Sequence, residues 1–270
     1  MAAPKVVVSI KPIHSLIAGV MKNVGEPVLL IDGNTSPHTA SLKPSQARAL
    51  QEADLVFWIG PELEVSLTRS LKTLARKTTS IELQKLDGLR FPTLKNSKSN
   101  DPHIWLDPQN ALVIISSVTK ILVEHDEKNA SHYLANAAQI SEMIFKLERE
   151  IHASLKQVHA IPFLSFHDAY GHYEGRFGLK NGIAVTGNPE AKTGAAHIAS
   201  LQQTIKQQNI RCIFSEPQFD SKILNTLSTE SGTRIYTLDP LGGGIEKGPA
   251  QYFTMMRKLT DAFIECLGSK

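Results

Sequence analysis

Between Asn129 and Val158 the apolar residues fall at Ala130, Leu134, Ala137, Ile140, Ile144, Leu147, Ile151, Leu155 and Val158. Steps of three and four mark one face of an α-helix. At 1.5 Å per residue, about thirty residues give a rod of roughly 45 Å, where an average helix has eleven or twelve residues. A rod of that length outruns a single small core and reads as a spine joining two lobes. A coiled coil is the plainer alternative, but Ala130 and Ala137 and the lack of further heptads speak against it.

On both sides of the rod, strand and helix patterns alternate. Ahead of it, Lys5 to Ile10, Pro27 to Ile31, Leu55 to Ile59 and a short stretch near Ile81 read as strands. His14 to Val24, Pro44 to Ala53 and Val65 to Arg76 read as helices. After it come strand-like Pro162 to Phe166, Gly182 to Val185, Ile210 to Phe214 and Arg234 to Leu238. Helical spacing returns in Ala195 to Gln207, Ser221 to Ser231 and Pro249 to Leu267. Such alternation predicts parallel sheets flanked by helices. The expected fold is α/β, with two (β/α) lobes, each built on a parallel-type sheet, linked by one long helix. The lobes span residues 1–128 and 159–270, and the helix 129–158. No internal sequence repeat is evident. From Gln84 to Asn100 the pattern dissolves into Leu, Lys, Asn and Ser, and a mobile loop is expected there.

With 270 residues the chain can bury two ordinary cores, and 20% charged against 41% hydrophobic residues describes a globular protein. A net charge of +3 with no concentrated Lys/Arg stripe argues against a nucleic-acid partner. No apolar run reaches the eighteen or so residues that span a bilayer. Met1-Ala2-Ala3-Pro4 leads directly into Val6-Val7-Val8, so no signal peptide is read there. That leaves a cytosolic protein or a mature exported one. Cys212 and Cys266 are read either as buried thiols or as a disulfide, which would stabilise by roughly 4 kcal/mol and imply an oxidising compartment.

Three histidines stand in loop-like segments: Ser36-Pro37-His38, Asp101-Pro102-His103 and Phe166-His167-Asp168. An acidic candidate, Asp239, follows in Thr237-Leu238-Asp239-Pro240. Imidazoles plus one carboxylate suit a borderline divalent ion, above all tetrahedral Zn²⁺. Singly, each has a bland reading. His38 is a surface loop residue, His103 the start of the buried Ile104-Trp105-Leu106 run, and Asp239 a turn carboxylate before Pro240. His167 ends a strand, where open α/β sheets place ligands. Jointly, two fall in each lobe, so an ion between them would clip the lobes together. Glu216 and Asp168 are candidate partners for the second ring nitrogens. His172 and Glu174 are the candidates for further groups behind the ligands, and the remaining histidines read as solvated helix positions. The chain has no H-E-x-x-H, G-x-S-x-G, P-loop or G-x-G-x-x-G. A zinc hydrolase with Asp168 or Glu174 as general base is the rival from another class.

These segments, in this order around this rod, resemble a known family. The chain is similar to the ZnuA-like zinc-binding subunits of bacterial metal-uptake ABC transporters, within the metal-specific cluster of solute-binding proteins. The likeness rests on Ser36-Pro37-His38 with Leu42-Lys43-Pro44-Ser45, on Ala53 to Glu62 (ADLVFWIGPE), on His103-Ile104-Trp105-Leu106-Asp107-Pro108 and on Phe166-His167-Asp168-Ala169-Tyr170-Gly171. Ser215-Glu216-Pro217-Gln218-Phe219 and Thr237 to Gly242 complete it, and it covers nearly the whole chain. It implies a non-enzymatic, periplasmic, monomeric carrier that hands a divalent ion to a membrane permease. Carried over, the ligands are His38, His103 and His167, with Asp239 as fourth. A histidine at position 167, where manganese-binding relatives usually have Glu, favours Zn²⁺ over Mn²⁺. The resemblance also implies that Cys212 and Cys266 are paired. One departure is plain: the stretch ahead of the second ligand, Lys85 to Asn100, has no histidine and one acidic residue, Asp87. That argues against an auxiliary zinc-collecting loop and keeps manganese as the alternative. A surface-adhesin role, reported for some relatives, has no sequence feature of its own here.

Overall fold

The structure is a computed structural model that describes residues 3–74, 78–92, 100–180, 182–187, 189–190 and 194–268. The first lobe opens with strand β1 (Val6–Ile10), five residues buried on both faces, which runs straight into helix α1 (Lys11–Val20). Pro12 lies in the first turn of α1, where a missing N–H costs nothing, so the helix begins three residues before the expected start at His14. There follow β2 (Val28–Ile31), α2 (Pro44–Glu52), β3 (Leu55–Trp58), α3 (Val65–Leu74) and β4 (Thr79–Glu82). Residues 75–77, the end of the expected third helix, and 93–99, much of the loop expected to be mobile, lie outside the described residues. The strands pair in parallel in the order β2-β1-β3-β4.

Helix α4 (Pro108–His125) has no counterpart in the sequence reading. Its Ala111-Leu112-Val113-Ile114-Ile115 run is apolar on every side, which hides the 3.6-residue period. Its start is nonetheless well marked: Asp107 accepts a hydrogen bond from the Gln109 N–H at 2.8 Å, and Pro108 occupies the first turn. The rod is helix α5 (Ala130–Leu155), 26 residues or about 39 Å. Ile140, Ile144, Leu147, Ile151 and Leu155 are buried as the spacing requires. At its start the stripe shifts by one residue. Leu134 is 58% exposed and Tyr133 is fully buried, its hydroxyl donating to Asp126 at 2.8 Å. The rod packs along α4 and α1 rather than crossing open space.

The second lobe repeats the first with β5 (Leu164–His167), α6 (Gly171–Phe177), β6 (Ile183–Thr186), α7 (Ala195–Gln207), β7 (Cys212–Ser215), α8 (Lys222–Ser231) and β8 (Arg234–Thr237). Its parallel order, β6-β5-β7-β8, is that of the first lobe. Short α6, also absent from the sequence reading, ends at Gly178 in the left-handed region (φ 66°). The last helix, α9 (Gln251–Gly268), packs back on α1 and α5. Cys266 on α9 is bonded to Cys212 on β7, with Cα atoms 5.9 Å apart. Among the described residues no helix is long and apolar enough to cross a membrane. Both sheets therefore offer the ends where ligands collect, the carboxyl edges of parallel strands beside a reversal of strand order.

Candidate metal centre

Each histidine of the expected set leaves a strand end or a turn by a locally fixed route. His167 is the last residue of β5. His38 follows β2 in a turn in which the Ser36 hydroxyl accepts the His38 N–H at 3.3 Å and the Ser36 carbonyl accepts that of Thr39. His103 opens a 3₁₀ turn (Ile104–Leu106), and both its backbone N–H and its ring Nδ1 lie against one oxygen of Asp101, at 3.0 and 2.7 Å.

The three rings converge. Each offers a nitrogen, and these nitrogens all lie within 4.8 Å of one another. His167 Nδ1 donates to Glu216 at 2.6 Å, as His103 Nδ1 does to Asp101. A carboxylate can only accept, so both rings are held with hydrogen on Nδ1 and a bare lone pair on Nε2. Those two Nε2 atoms face each other at 3.3 Å. His38 Nε2 is buried with no hydrogen-bond partner among the described residues. Facing lone pairs repel unless a cation lies between them. Tetrahedral Zn²⁺ with bonds of about 2.0–2.1 Å has nitrogen–nitrogen edges of about 3.3 Å, the spacing seen. The donor set therefore fits the ion in chemistry, in distance at the His103–His167 edge, and in leaving one position of a tetrahedron open.

Electrostatics point the same way. Burial, reinforced by the two neighbouring histidines, pushes the His38 imidazole down to about 3, so it stays neutral and available to a metal across the physiological range. Burial pushes the Asp101 carboxyl up, but the adjacent His103 outweighs it and holds that acid below its ordinary value. The rings line a cavity of about 10 Å³ with Trp105, Phe219, Pro240 and Leu241, enough for one small ion or water. A wider opening of about 390 Å³, bordered by Glu62 and Asp168, leads to the same three histidines.

Asp239 is not brought into this cluster. Its carboxylate accepts the N–H groups of Leu241 (3.1 Å), Gly242 (2.9 Å) and Gly243 (2.7 Å), and the Gln218 amide at 2.9 Å. Oδ1 takes three of these donors and Oδ2 one, and the turn that supplies three of the four has Gly242 at φ +63°. Of the candidate partners, Glu216 braces His167, whereas Asp168 is exposed at the opening. His172 stands one step behind: its Nε2 lies 3.0 Å from the Asp101 carbonyl and its Nδ1 faces the Asn110 amide. Glu174 is elsewhere, accepting the Gly182 N–H at 2.9 Å. The brace on His103 was overlooked in the sequence. The signal was its spacing, an acid two residues before the ring and across a proline.

A sequence profile of the family described as ZnuA, the periplasmic component A of the zinc-uptake complex, matches residues 6–266. The high-affinity zinc uptake system protein ZnuA of Brucella abortus is 34% identical, over 97% of this chain and 91% of its own length. Among solved structures, a zinc-bound deletion mutant of ZnuA superposes with a TM-score of 0.87 at 24% identity, covering 99% of both chains. The periplasmic zinc-binding protein TroA of Treponema pallidum superposes at 0.88 with 16% identity, over 98% of this chain and 99% of its own. These last two likenesses establish the fold, two α/β lobes about a linking helix; the profile and the Brucella relative establish more. The chain belongs to the ZnuA family, the periplasmic A components of zinc-uptake complexes.

Proposed function

We propose that this protein is a periplasmic carrier that captures one Zn²⁺ between its lobes and passes it to an ABC permease. The ion is cargo, and no bond of a substrate is made or broken. His38, His103 and His167 serve as ligands, the first two from the lobe at 1–128 and the third from the lobe at 159–270, with the helix at 129–158 between them. The observation that carries this reading is the pair of carboxylate-locked imidazoles whose bare Nε2 atoms meet at 3.3 Å beside the unpartnered His38 Nε2. Three neutral imidazoles favour zinc over manganese, which takes harder oxygen donors. The fourth position falls to solvent while Asp239 stays in its turn.

The test is calorimetric titration of chelator-stripped protein with Zn²⁺ and with Mn²⁺, and His103→Ala as control. One zinc per chain is expected, with a loss well beyond the 10–100-fold that removing a partner behind a ligand costs. Asp239→Ala should weaken binding less than His103→Ala. Tighter manganese binding would move the carrier to that metal. Undiminished zinc binding in His103→Ala would refute the site.

A further inference from the structure

The turn 239–245 belongs to the second lobe by sequence, yet its polar backbone is fastened to the first. Lys11, the first residue of α1 and only 5% exposed, directs its ammonium at the carbonyls of Gly242 (3.4 Å), Gly243 (2.7 Å) and Ile245 (3.1 Å). The Trp105 indole donates to the Pro240 carbonyl at 2.8 Å. Gly33 and Gly243 touch backbone to backbone: a Cβ on Gly243 would sit 2.5 Å from the Gly33 oxygen. Gln218 donates to that same Gly33 carbonyl at 2.7 Å and to Asp239 at 2.9 Å. Two residues before Gln218 stands Glu216, the carboxylate that orients His167. On the other side of the turn, Pro240 and Leu241 line the cavity that holds the three imidazoles.

We propose that Lys11 is a positioning residue that sets the register of the two lobes at the metal cleft. By binding the 242–245 turn it holds Gly243 on Gly33, and through Gln218 and Glu216 it fixes where His167 meets His38 and His103. This role presupposes that the cleft carries zinc. It has an unusual sign. An ammonium near a cation site repels the ion, so removing that charge would by electrostatics alone tighten zinc binding and slow its release. A register role predicts the reverse, because three carbonyls, one buried and two half-buried, lose their donor and the turn shifts.

The experiment compares wild type, Lys11→Met, Gly243→Ala and the double variant. Zinc release is timed with a chromophoric chelator, and the Co²⁺ derivative is followed by its visible absorption. Wild type must first bind zinc; failure there would overturn the carrier reading and this role with it, whereas a variant result against a zinc-binding wild type bears on this role alone. Lys11→Met is expected to release zinc about tenfold faster and to change the intensity of the Co²⁺ bands, as a displaced ligand would. Gly243→Ala should do the same from the opposite lobe, and the double variant should be no worse than the faster single one. Unchanged or slower release in Lys11→Met, with an unchanged Co²⁺ spectrum, overturns the proposal. Should Lys11→Met not fold, Gly243→Ala decides: release at the wild-type rate overturns the proposal, and faster release supports it.

Discussion

The two lobes share a strand order and differ in how their sheets are covered. In the first, both faces feed one continuous core: Leu50, Leu67 and Leu71 from α2 and α3 join the same cluster as Leu16 of α1 and Ile144 of the rod. In the second, Phe163 and Phe214 join that core beneath α9, while the opposite face forms a core of its own. Leu164, Phe166, Val185, Leu201, Ile205, Ile210, Ile213, Leu224 and Leu227 make up that satellite, roofed by α7 and α8. A repeated topology thus carries unequal cohesion. A layer resting, among the described residues, on nine buried side chains with five half-buried ones against them can open by itself, whereas the first lobe opens only with the whole. Leu16→Ala and Leu227→Ala test this most strongly, since each removes a fully buried leucine and costs about 2–5 kcal/mol. Leu16→Ala should lower the global unfolding midpoint. Leu227→Ala should first speed amide exchange in α7 and α8, with α1 and α5 protected. Uniform acceleration in both variants would make the lobes one cooperative unit and end the comparison.

The ligand braces differ in the same sense. Asp101 grips His103 from two residues away, at both the backbone and the ring. Glu216 reaches His167 from the end of the neighbouring strand, 49 residues on. Asp101→Asn and Glu216→Gln each remove the charge that fixes the tautomer, and each should weaken zinc binding about 10–100-fold. Measured by competition with a chelator, the loss should be the larger for Glu216→Gln, because nothing local replaces a brace between strands. Equal losses would mean that the satellite layer has no bearing on the site.

Much of this was legible in the sequence, for reasons that can be named. The eight strands and six of the helices around the rod are legible from alternation or a 3.6-residue stripe within a few residues of their ends, as with α7 at Ala195–Gln207. The three histidines stood out because each ends a strand or opens a turn beside Pro or an acid. What escaped was structure whose signal is tertiary. Helix α4 carries the unbroken apolar run Ala111 to Ile115, which masks the face it buries through Ala111, Ile114, Ile115, Val118 and Leu122. The exchange of Leu134 for Tyr133 depends on a hydroxyl finding Asp126. The position of Asp239 depends on three backbone N–H groups in a glycine turn, which composition does not display. The common strand order of the lobes left no repeat in the residues, because a parallel sheet constrains burial and not identity.

One buried acid in each lobe gives the smallest test, and here the lobes should behave alike. Glu64 accepts the Gly60 N–H at 2.9 Å and Glu174 that of Gly182 at 2.9 Å. Burial raises both carboxyls from 4.5 to about 7 against the pull of those hydrogen bonds. Between pH 4.5 and 7 the folded protein therefore holds protons that the unfolded chain has released. The stability these groups contribute is complete below 4.5 and is lost as the pH rises through 7. From pH 6 to pH 8 each should cost about 1.4 kcal/mol, the worth of one pKa unit. Denaturant midpoints of metal-free protein at pH 6, 7 and 8 would read this without interference from protons that compete with zinc. Glu64→Gln and Glu174→Gln should each flatten the slope by the same amount, since an amide keeps an acceptor oxygen but has no charge to bury. A slope flattened by Glu64→Gln alone would place Glu174 in water-accessible surroundings, and the looser packing of the second lobe would then extend inward to α6.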